Sequence, residues 1–317
     1  MNYRFCGNSG LQLPLLSLGL WHNFGDVDDF SVASNMILRA FEQGITHFDL
    51  ANNYGPPPGS SETNFGKIFK AQLVHHRDEL IISSKAGHLM WEGPYGDGGS
   101  RKYLMASINQ SLKRTGLDYF DIFYSHRYDA QTPLEETIQT LIDIVKQGKA
   151  LYIGLSKYPA DKAREAYEMM QAQQVRCLIY QDKYNLLHRK PEAELMPLND
   201  TYGMGFIVFS PLAQGLLTNK YLHGIPENSR AAKSHGFLQR ADITPEVIHK
   251  ITRLNELALQ RGQTLAEMSL AWLLNKQAVT SVIIGTSSVK QLQDNIAGTQ
   301  FIDFTRDELI RIEDILK

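Results

Sequence analysis

Ile45-Thr46-His47-Phe48-Asp49-Leu50-Ala51-Asn52-Asn53-Tyr54-Gly55 is the stretch on which the reading of the fold turns. Its first half, Ile45 to Leu50, reads as a buried strand that carries an acid near its end. Asn-Asn-Tyr-Gly then turns the chain. Asp49 and Tyr54 are thereby placed at the carboxyl end of a strand, where α/β proteins keep their chemistry. Two later runs finish the same way: Leu80 to Ser84 leads into Lys85, and Tyr119 to Ser125 leads into His126.

Outward from these runs the chain alternates. Eight apolar runs end near Trp21, Asp49, Lys85, His126, Ser156, Gln181, Phe209 and Ile284, and a helical pattern follows each. Start and stop signals frame the helices: Ser31 and Gly44, Ser60-Ser61-Glu62, Arg101 to Thr115 with Gly116, and Pro133 with Gly148. A helix from Ser60 to about Leu73 and another from Pro191 to Tyr202 are expected. Residues 86–100 form a glycine-rich loop over the strand ends, and residues 213–244 read as irregular. Ahead of the first run, residues 3–14 alternate around Gly7-Asn8-Ser9-Gly10 and predict a hairpin. The pattern predicts an α/β chain, a (β/α)8 TIM barrel with an N-terminal β-hairpin, as one domain over residues 1–317. An open doubly wound sheet would bring G-x-G-x-x-G after its first strand. The nearest match, Gly96-Asp97-Gly98-Gly99-Ser100-Arg101, lacks the third glycine and follows no strand.

Composition narrows the partners. At 43% hydrophobic, 317 residues can bury a full core. A formal net charge of -2 gives no electrostatic reason to expect nucleic acid or an acidic membrane. The start, Met1 to Gly7, has no apolar signal core, and no apolar run reaches the roughly 20 residues of a membrane helix. Cys6 and Cys177 form no metal pattern and fit a reducing compartment. The expectation is a cytoplasmic protein without a metal, whose sequons at Asn109 and Asn199 are accidental.

Each step from Asp49 to Lys85 to His126 spans about one strand-plus-helix unit, so the three strand ends are neighbours on the barrel rim, with Tyr54 just above Asp49. Tyrosine is a poor acid at neutral pH, with a pKa of about 10 in water. An adjacent ammonium favours the phenolate and lowers that value. Lys85 is placed to do this, Asp49 to hold Lys85 charged, and His126 to hydrogen-bond the same substrate oxygen. Together they make a general acid for an alkoxide that forms as a carbonyl accepts hydride. Taken singly, each residue has a plainer meaning: a turn-forming Asp, a solvated rim Lys, a packing Tyr, a half-buried His. The joint order of types at three strand ends is what points to chemistry.

These motifs resemble the aldo-keto reductase family. Its F-D-x-A-x-x-Y-G pattern is matched by Phe48-Asp49-Leu50-Ala51-Asn52-Asn53-Tyr54-Gly55, followed by Ser83-Ser84-Lys85 and Tyr124-Ser125-His126-Arg127. The likeness is to the branch of potassium-channel β subunits and bacterial L-glyceraldehyde 3-phosphate reductases. The stretches from Gly19 to Gly25, Asn53 to Ser60 and Ser210 to Thr218 look particularly like the bacterial enzymes. The resemblance implies extended NADPH bound without a Rossmann domain, and Tyr54 as proton donor supported by Asp49, Lys85 and His126. It implies Asp49 and Trp21 beside the nicotinamide, Ser156 and Gln181 on its carboxamide, and Phe209 stacked on its ring. The loop with Ser210, Leu212, Gln214 and Gly215 would clamp the pyrophosphate, and Ser287, Gln291 and Asn295 would hold the adenosine 2′-phosphate and adenine. Among Lys220, Arg230, Lys233, Arg240 and Lys290, the expected partners of the 2′-phosphate are Lys220 and Arg230.

Two positions depart from the commoner family pattern. Lys157 stands where many members have Asn, and lysine donates but cannot accept. Phe209 stands where many have Tyr and keeps the stacking face. The function implied is NADPH-dependent reduction of small aldehydes, L-glyceraldehyde 3-phosphate foremost and methylglyoxal-type aldehydes besides. The alternative is an NADPH-sensing regulatory subunit. A barrel hydrolase is a weaker third reading, lacking metal ligands and a carboxylate pair. Arg127, Arg101 and Lys102 are candidates to meet a substrate phosphate, Trp91 and Tyr95 either wall the pocket or pack the loop, and a homo-oligomer is left open.

Overall fold

A computed structural model describes residues 1–226, 231 and 238–317. A short antiparallel hairpin, β1 (Tyr3–Phe5) and β2 (Gln12–Pro14), comes first. Eight parallel strands follow: β3 (Leu16–Gly19), β4 (His47–Asp49), β5 (Ile81–Ala86), β6 (Phe120–Ser125), β7 (Ala150–Ser156), β8 (Cys177–Lys183), β9 (Gly205–Phe209) and β10 (Ser281–Ile284). They close into a barrel in chain order, with β10 returning to pair with β3. The expected (β/α)8 barrel and its hairpin are what the structure has.

Helices α1 (Phe30–Glu42), α2 (Ser60–Ile68), α3 (Arg101–Thr115), α4 (Leu134–Lys146), α5 (Ala160–Ala172), α6 (Leu195–Thr201), α7 (Pro245–Gln260), α8 (Leu265–Asn275), α9 (Val289–Ala297) and α10 (Arg306–Leu316) belong to the layer around it. None of the described helices is long and apolar enough to cross a membrane. Two helices differ from expectation. After α2 the chain widens into a π turn over Phe69–Leu73 and then a 3-10 turn over Val74–Glu79. Phe65, Phe69 and Leu73 recur every four residues, and the wider turn keeps all three buried. The expected helix from Pro191 to Tyr202 is a 3-10 turn, Lys190–Glu192, followed by α6. Pro191 and Pro197 each fit only a first turn, so the segment becomes two short pieces.

Inside the barrel, the hairpin closes the lower end. Cys6 and Leu13 pack with Ile122, Tyr124, Ile179, Ile207 and Ile283. Gly205 admits this plug, because a Cβ there would stand 2.3 Å from the Cys6 sulfur. Gly154 has the same function higher up: a Cβ would meet the Tyr124 ring at 2.3 Å. Tyr124 therefore lies across β7, under the strand ends that carry the polar cluster.

Candidate active site

Lys85 lies near the end of β5 and is fully buried. Its ammonium donates to Asp49 Oδ2 at 2.5 Å and to the Leu50 carbonyl at 2.7 Å. The other carboxylate oxygen, Oδ1, accepts from Ser83 Oγ at 2.7 Å and from Gln181 Nε2 at 3.2 Å. Tyr54 sits above them on the loop between β4 and α2, half-buried, with Lys85 Nζ 5.1 Å from its ring centroid. Its ring stacks on Trp21 at 6.1 Å and meets His126 edge-on at 5.9 Å. The loop is pinned from below, since the Tyr54 carbonyl accepts from the amides of Gly59 and Ser61. Three strand ends and one loop thus bring Asp49, Lys85, His126 and Tyr54 into one cluster.

Burial sets the protonation states. It lowers the Lys85 pKa, against the pull of the Asp49 carboxylate in the opposite direction. It also holds His126 well below 6.5, helped by the charge of Lys85, so this imidazole is neutral at pH 7. His88 packs edge-on against His126 at 4.5 Å and is itself lowered to about 4 by burial and the charges of Lys157 and Arg127. Tyr54 corrects the sequence expectation. Burial, and then the Asp49 carboxylate, raise its phenol well above 10 rather than lowering it. Lys85 is already matched by Asp49 at 2.5 Å, so the phenol is left with the carboxylate's field. The cluster therefore offers two neutral groups upward, a fully protonated phenol and an imidazole.

Around the rim, the other expected residues fall into three sets. Ser156 ends β7 in register with Gln181 on β8, and its Oγ is buried without a partner. Lys157 follows with φ 54°, its Nζ 5.3 Å from the Phe209 ring centroid. Among the described residues, five of the six non-glycine positions with positive φ lie in loops after barrel strands: Asn23, Lys157, Ser210, Ala213 and Gln214. Left-handed backbone of this kind costs energy and gathers at ligand sites. The Ser210, Leu212, Gln214, Gly215 loop carries three of them, with the Ser210 carbonyl fixed by Asn185 Nδ2 at 2.9 Å. In the third set, the Ser287 amide and hydroxyl both donate to Gln291 Oε1 at 3.0 Å, Ser288 caps α9, and Asn295 is buried on that helix. Asn23 ties this segment to the loop after β3, donating to the Thr286 carbonyl at 2.9 Å.

The expected basic residues divide. Lys220 is exposed, and its ammonium forms no ion pair with the described residues, whereas Lys290 is paired with Asp294. Arg230 and Lys233 lie outside the described residues. Arg127 is held by Asp97 at 2.9 Å and Arg101 by Asp143 at 2.5 Å, so neither is a spare cation. Lys102 stands 5.9 Å from the centroid of the exposed Tyr95 ring, and Trp91 packs the loop onto Tyr103. Residues that the sequence reading passed over are His88, Tyr124 and Ser83. A histidine three places beyond a strand-end lysine was a usable signal for the first; the other two are ordinary strand residues until their contacts are known.

From residue 15 to residue 317 the sequence matches the aldo/keto reductase family. The chain belongs to that family. It is 50% identical to the L-glyceraldehyde 3-phosphate reductase of Escherichia coli (strain K12), over 99% of this chain and 92% of the relative. It is also 34% identical to a probable voltage-gated potassium channel subunit beta of Oryza sativa subsp. japonica, over 100% of this chain and 97% of the relative. A putative subunit of the same kind from Schizosaccharomyces pombe is 35% identical over 99% of this chain. In an aldo/keto reductase, an acid, an amine, a phenol and an imidazole meeting at the carboxyl ends of barrel strands form the candidate site for oxidoreductase chemistry.

Proposed function

We propose that this protein reduces small aldehydes to alcohols with NADPH, that Tyr54 is the general acid, and that phosphorylated three-carbon aldehydes such as L-glyceraldehyde 3-phosphate are its best substrates. The observation that carries the reading is the buried Asp49–Lys85 pair directly beneath the Tyr54 ring, with neutral His126 beside it. NADPH, when bound, supplies hydride to the carbonyl carbon. The carbonyl oxygen, gaining negative charge, takes the phenolic proton of Tyr54 and a hydrogen bond from His126. Lys85 answers the phenolate that this leaves, since an ammonium favours the ionised phenol, and Asp49 keeps Lys85 protonated against its burial.

The residues present fit the cofactor. Ser156 Oγ, buried and unpartnered, suits the carboxamide, with Gln181 in register beside it. Phe209 offers a ring face for the nicotinamide, and Trp21 and Asp49 would stand beside that ring. The left-handed run at Ser210, Ala213 and Gln214 turns backbone amides toward anionic oxygens. Ser287 and Gln291 stand at the N-terminal end of α9, the end that favours a phosphate, and Asn295 follows on that helix. Lys220, with no carboxylate partner among the described residues, suits the 2′-phosphate.

An anionic substrate is favoured by Lys157. It forms no ion pair with the described residues, and its charge bears on Lys85, His126 and His88. The relatives named as L-glyceraldehyde 3-phosphate reductases point the same way. The test is a steady-state screen with NADPH and NADH against both enantiomers of glyceraldehyde 3-phosphate, unphosphorylated glyceraldehyde and methylglyoxal. Turnover with NADPH, best for a phosphorylated aldehyde, is expected. Tight NADPH binding with no turnover of any of them would favour the regulatory reading that the channel-subunit relatives suggest.

A further inference from the structure

We propose that Ser17, His47 and Ser83 are positioning residues for Asp49, joined in a one-way line of hydrogen bonds that crosses the barrel interior and ends on its carboxylate. The line begins at Ser281 on β10 and passes through Ser17 on β3, His47 on β4 and Ser83 on β5, four strands that are consecutive neighbours in the barrel. The distances are 2.7 Å for Ser281 to Ser17, 2.8 Å for Ser17 to His47 Nδ1, 3.0 Å for His47 Nε2 to Ser83, and 2.7 Å for Ser83 to Asp49 Oδ1. All four residues are fully buried. Barrel interiors are ordinarily filled with layers of Val, Ile and Leu, so four polar side chains in contact are a departure that calls for a reason.

Proton counting gives the line its direction. An ionised carboxylate only accepts, so Ser83 spends its single proton on Asp49. The Ser83 oxygen then accepts from His47 Nε2, which makes Nδ1 the bare nitrogen and an acceptor from Ser17. Ser17 in turn accepts from Ser281. The imidazole must be neutral for this, and burial keeps it so, lowering its pKa to about 4 between the opposed charges of Asp49 and Lys85. No nitrogen or hydroxyl oxygen of the line is left without a partner. With Oδ1 taken by Ser83 and Gln181, Oδ2 is the oxygen left to Lys85.

The consequence is electrostatic. Asp49 is the largest influence that keeps Lys85 protonated against its burial. A carboxylate released by Ser83 can turn about its own bond and loosen that contact, and Lys85 then loses its proton at a lower pH. The other groups around Lys85 are Tyr54, Tyr124 on β6, His126 beyond it, Glu62 on α2, Lys157 after β7 and His47 on β4, and of these a change at Ser83 touches only His47, which burial keeps neutral.

This inference rests on the reductase reading, and the experiment separates the two. In Ser83→Ala, kcat is expected to fall about tenfold at pH 7, less than the roughly 10²–10⁴-fold that loss of a general acid itself costs. KM for aldehyde and the affinity for NADPH stay within about twofold, since uniform binding is untouched. The alkaline limb of kcat moves to lower pH, Ser83→Thr restores it, and Ser83→Cys, a weak donor of similar size, falls between. In parallel, NMR of 13Cε-labelled lysine follows the Lys85 titration without any substrate, and its midpoint is expected to drop in Ser83→Ala. Wild-type activity combined with an unmoved limb and an unmoved midpoint in Ser83→Ala and Ser83→Cys overturns the positioning role, because a serine present only for packing alters thermal stability and neither midpoint. A wild-type protein that turns over no aldehyde, with the Lys85 midpoint still moved by Ser83→Ala, removes the reductase reading and leaves the line of hydrogen bonds in its role.

Discussion

Replacing Tyr54 by Phe is the sharpest test of the site, because the structure separates its effect on chemistry from its effect on folding. The Tyr54 hydroxyl forms no hydrogen bond with the described residues, and the ring contacts with Trp21 at 6.1 Å and His126 at 5.9 Å do not involve it. Removing it therefore leaves no buried partner unsatisfied, and the change in folding free energy should stay within about 0.5 kcal/mol, as for substitutions that break no named interaction. The proton it delivers is another matter. Loss of a positioned general acid lowers rates by about 10²–10⁴, which is about 3–5 kcal/mol of transition-state stabilisation at 1.36 kcal/mol per tenfold. Tyr54→Phe should keep its melting temperature and its NADPH affinity, measured by fluorescence titration, while kcat for aldehyde reduction falls by at least a hundredfold. A variant retaining a third of wild-type kcat would refute the assignment of Tyr54 as the acid. A variant that had lost cofactor affinity in proportion to rate would instead make it a binding residue.

Three further outcomes follow from the same geometry. Asp49→Asn leaves the fully buried Lys85 ammonium without its carboxylate, at a cost of about 3–5 kcal/mol near neutral pH; because Lys85 escapes by losing its proton, urea denaturation should show the deficit shrinking as pH rises, and a pH-independent deficit would contradict the charge argument. Lys157→Met should lower kcat/KM for phosphorylated aldehydes about tenfold to a hundredfold, the worth of a charged hydrogen bond, with unphosphorylated glyceraldehyde changed little; equal losses on both would remove Lys157 as the phosphate partner. His47 has its pKa depressed from 6.5 to about 4, so its contribution to stability is complete above pH 6.5 and is lost as pH falls towards 4; that is about 3 kcal/mol at 1.36 kcal/mol per unit, and denaturation of His47→Gln should fall less steeply with acid than the wild type.

The fold was open to reading because its signal is repeated. Eight apolar runs each carried a helical pattern behind them; β7, β9 and β10 end at Ser156, Phe209 and Ile284, and α3 runs from Arg101 to Thr115, as the sequence pattern expects. Asp49, Lys85 and His126 were legible for a similar reason, since a strand end is a place that the pattern itself locates. What could not be read was whatever depends on a partner from a distant element. Arg127 and Arg101 resemble free rim cations until Asp97 and Asp143 stand beside them. Ser17 and Ser83 look like small residues tolerated in apolar strands, and only the closed barrel brings them to either side of His47. The direction of the Tyr54 shift depended on burial and on which charge reaches the phenol, and residue type alone argued for the wrong sign.

Buried ion pairs are common enough that the Asp49–Lys85 pair needs to be told apart from a purely structural one, and this chain supplies the controls. Glu62 is fully buried, with one oxygen accepting from Ser84 at 2.6 Å and the other from Arg114 at 2.7 Å. Asp121 is likewise buried and answered by Arg77 at 3.0 Å and the Ile82 amide at 2.7 Å. Around those two acids the donors are matched, as buried charge requires. Asp49 is matched as completely from below and beside, by Ser83, Gln181 and Lys85. Around it the accounting stops: Ser156 Oγ, His126 Nδ1 and Tyr124 Oη are buried and without partners, and the Tyr54 hydroxyl bonds none of the described residues. Orphaned polar groups are costly wherever water is excluded, and here they gather around a pair whose own carboxylate is fully bonded. A structural pair has no such contrast. Polar groups left open toward the strand ends, over a carboxylate fixed from underneath, are what a barrel must keep if a carbonyl and a cofactor amide are to complete its hydrogen bonding.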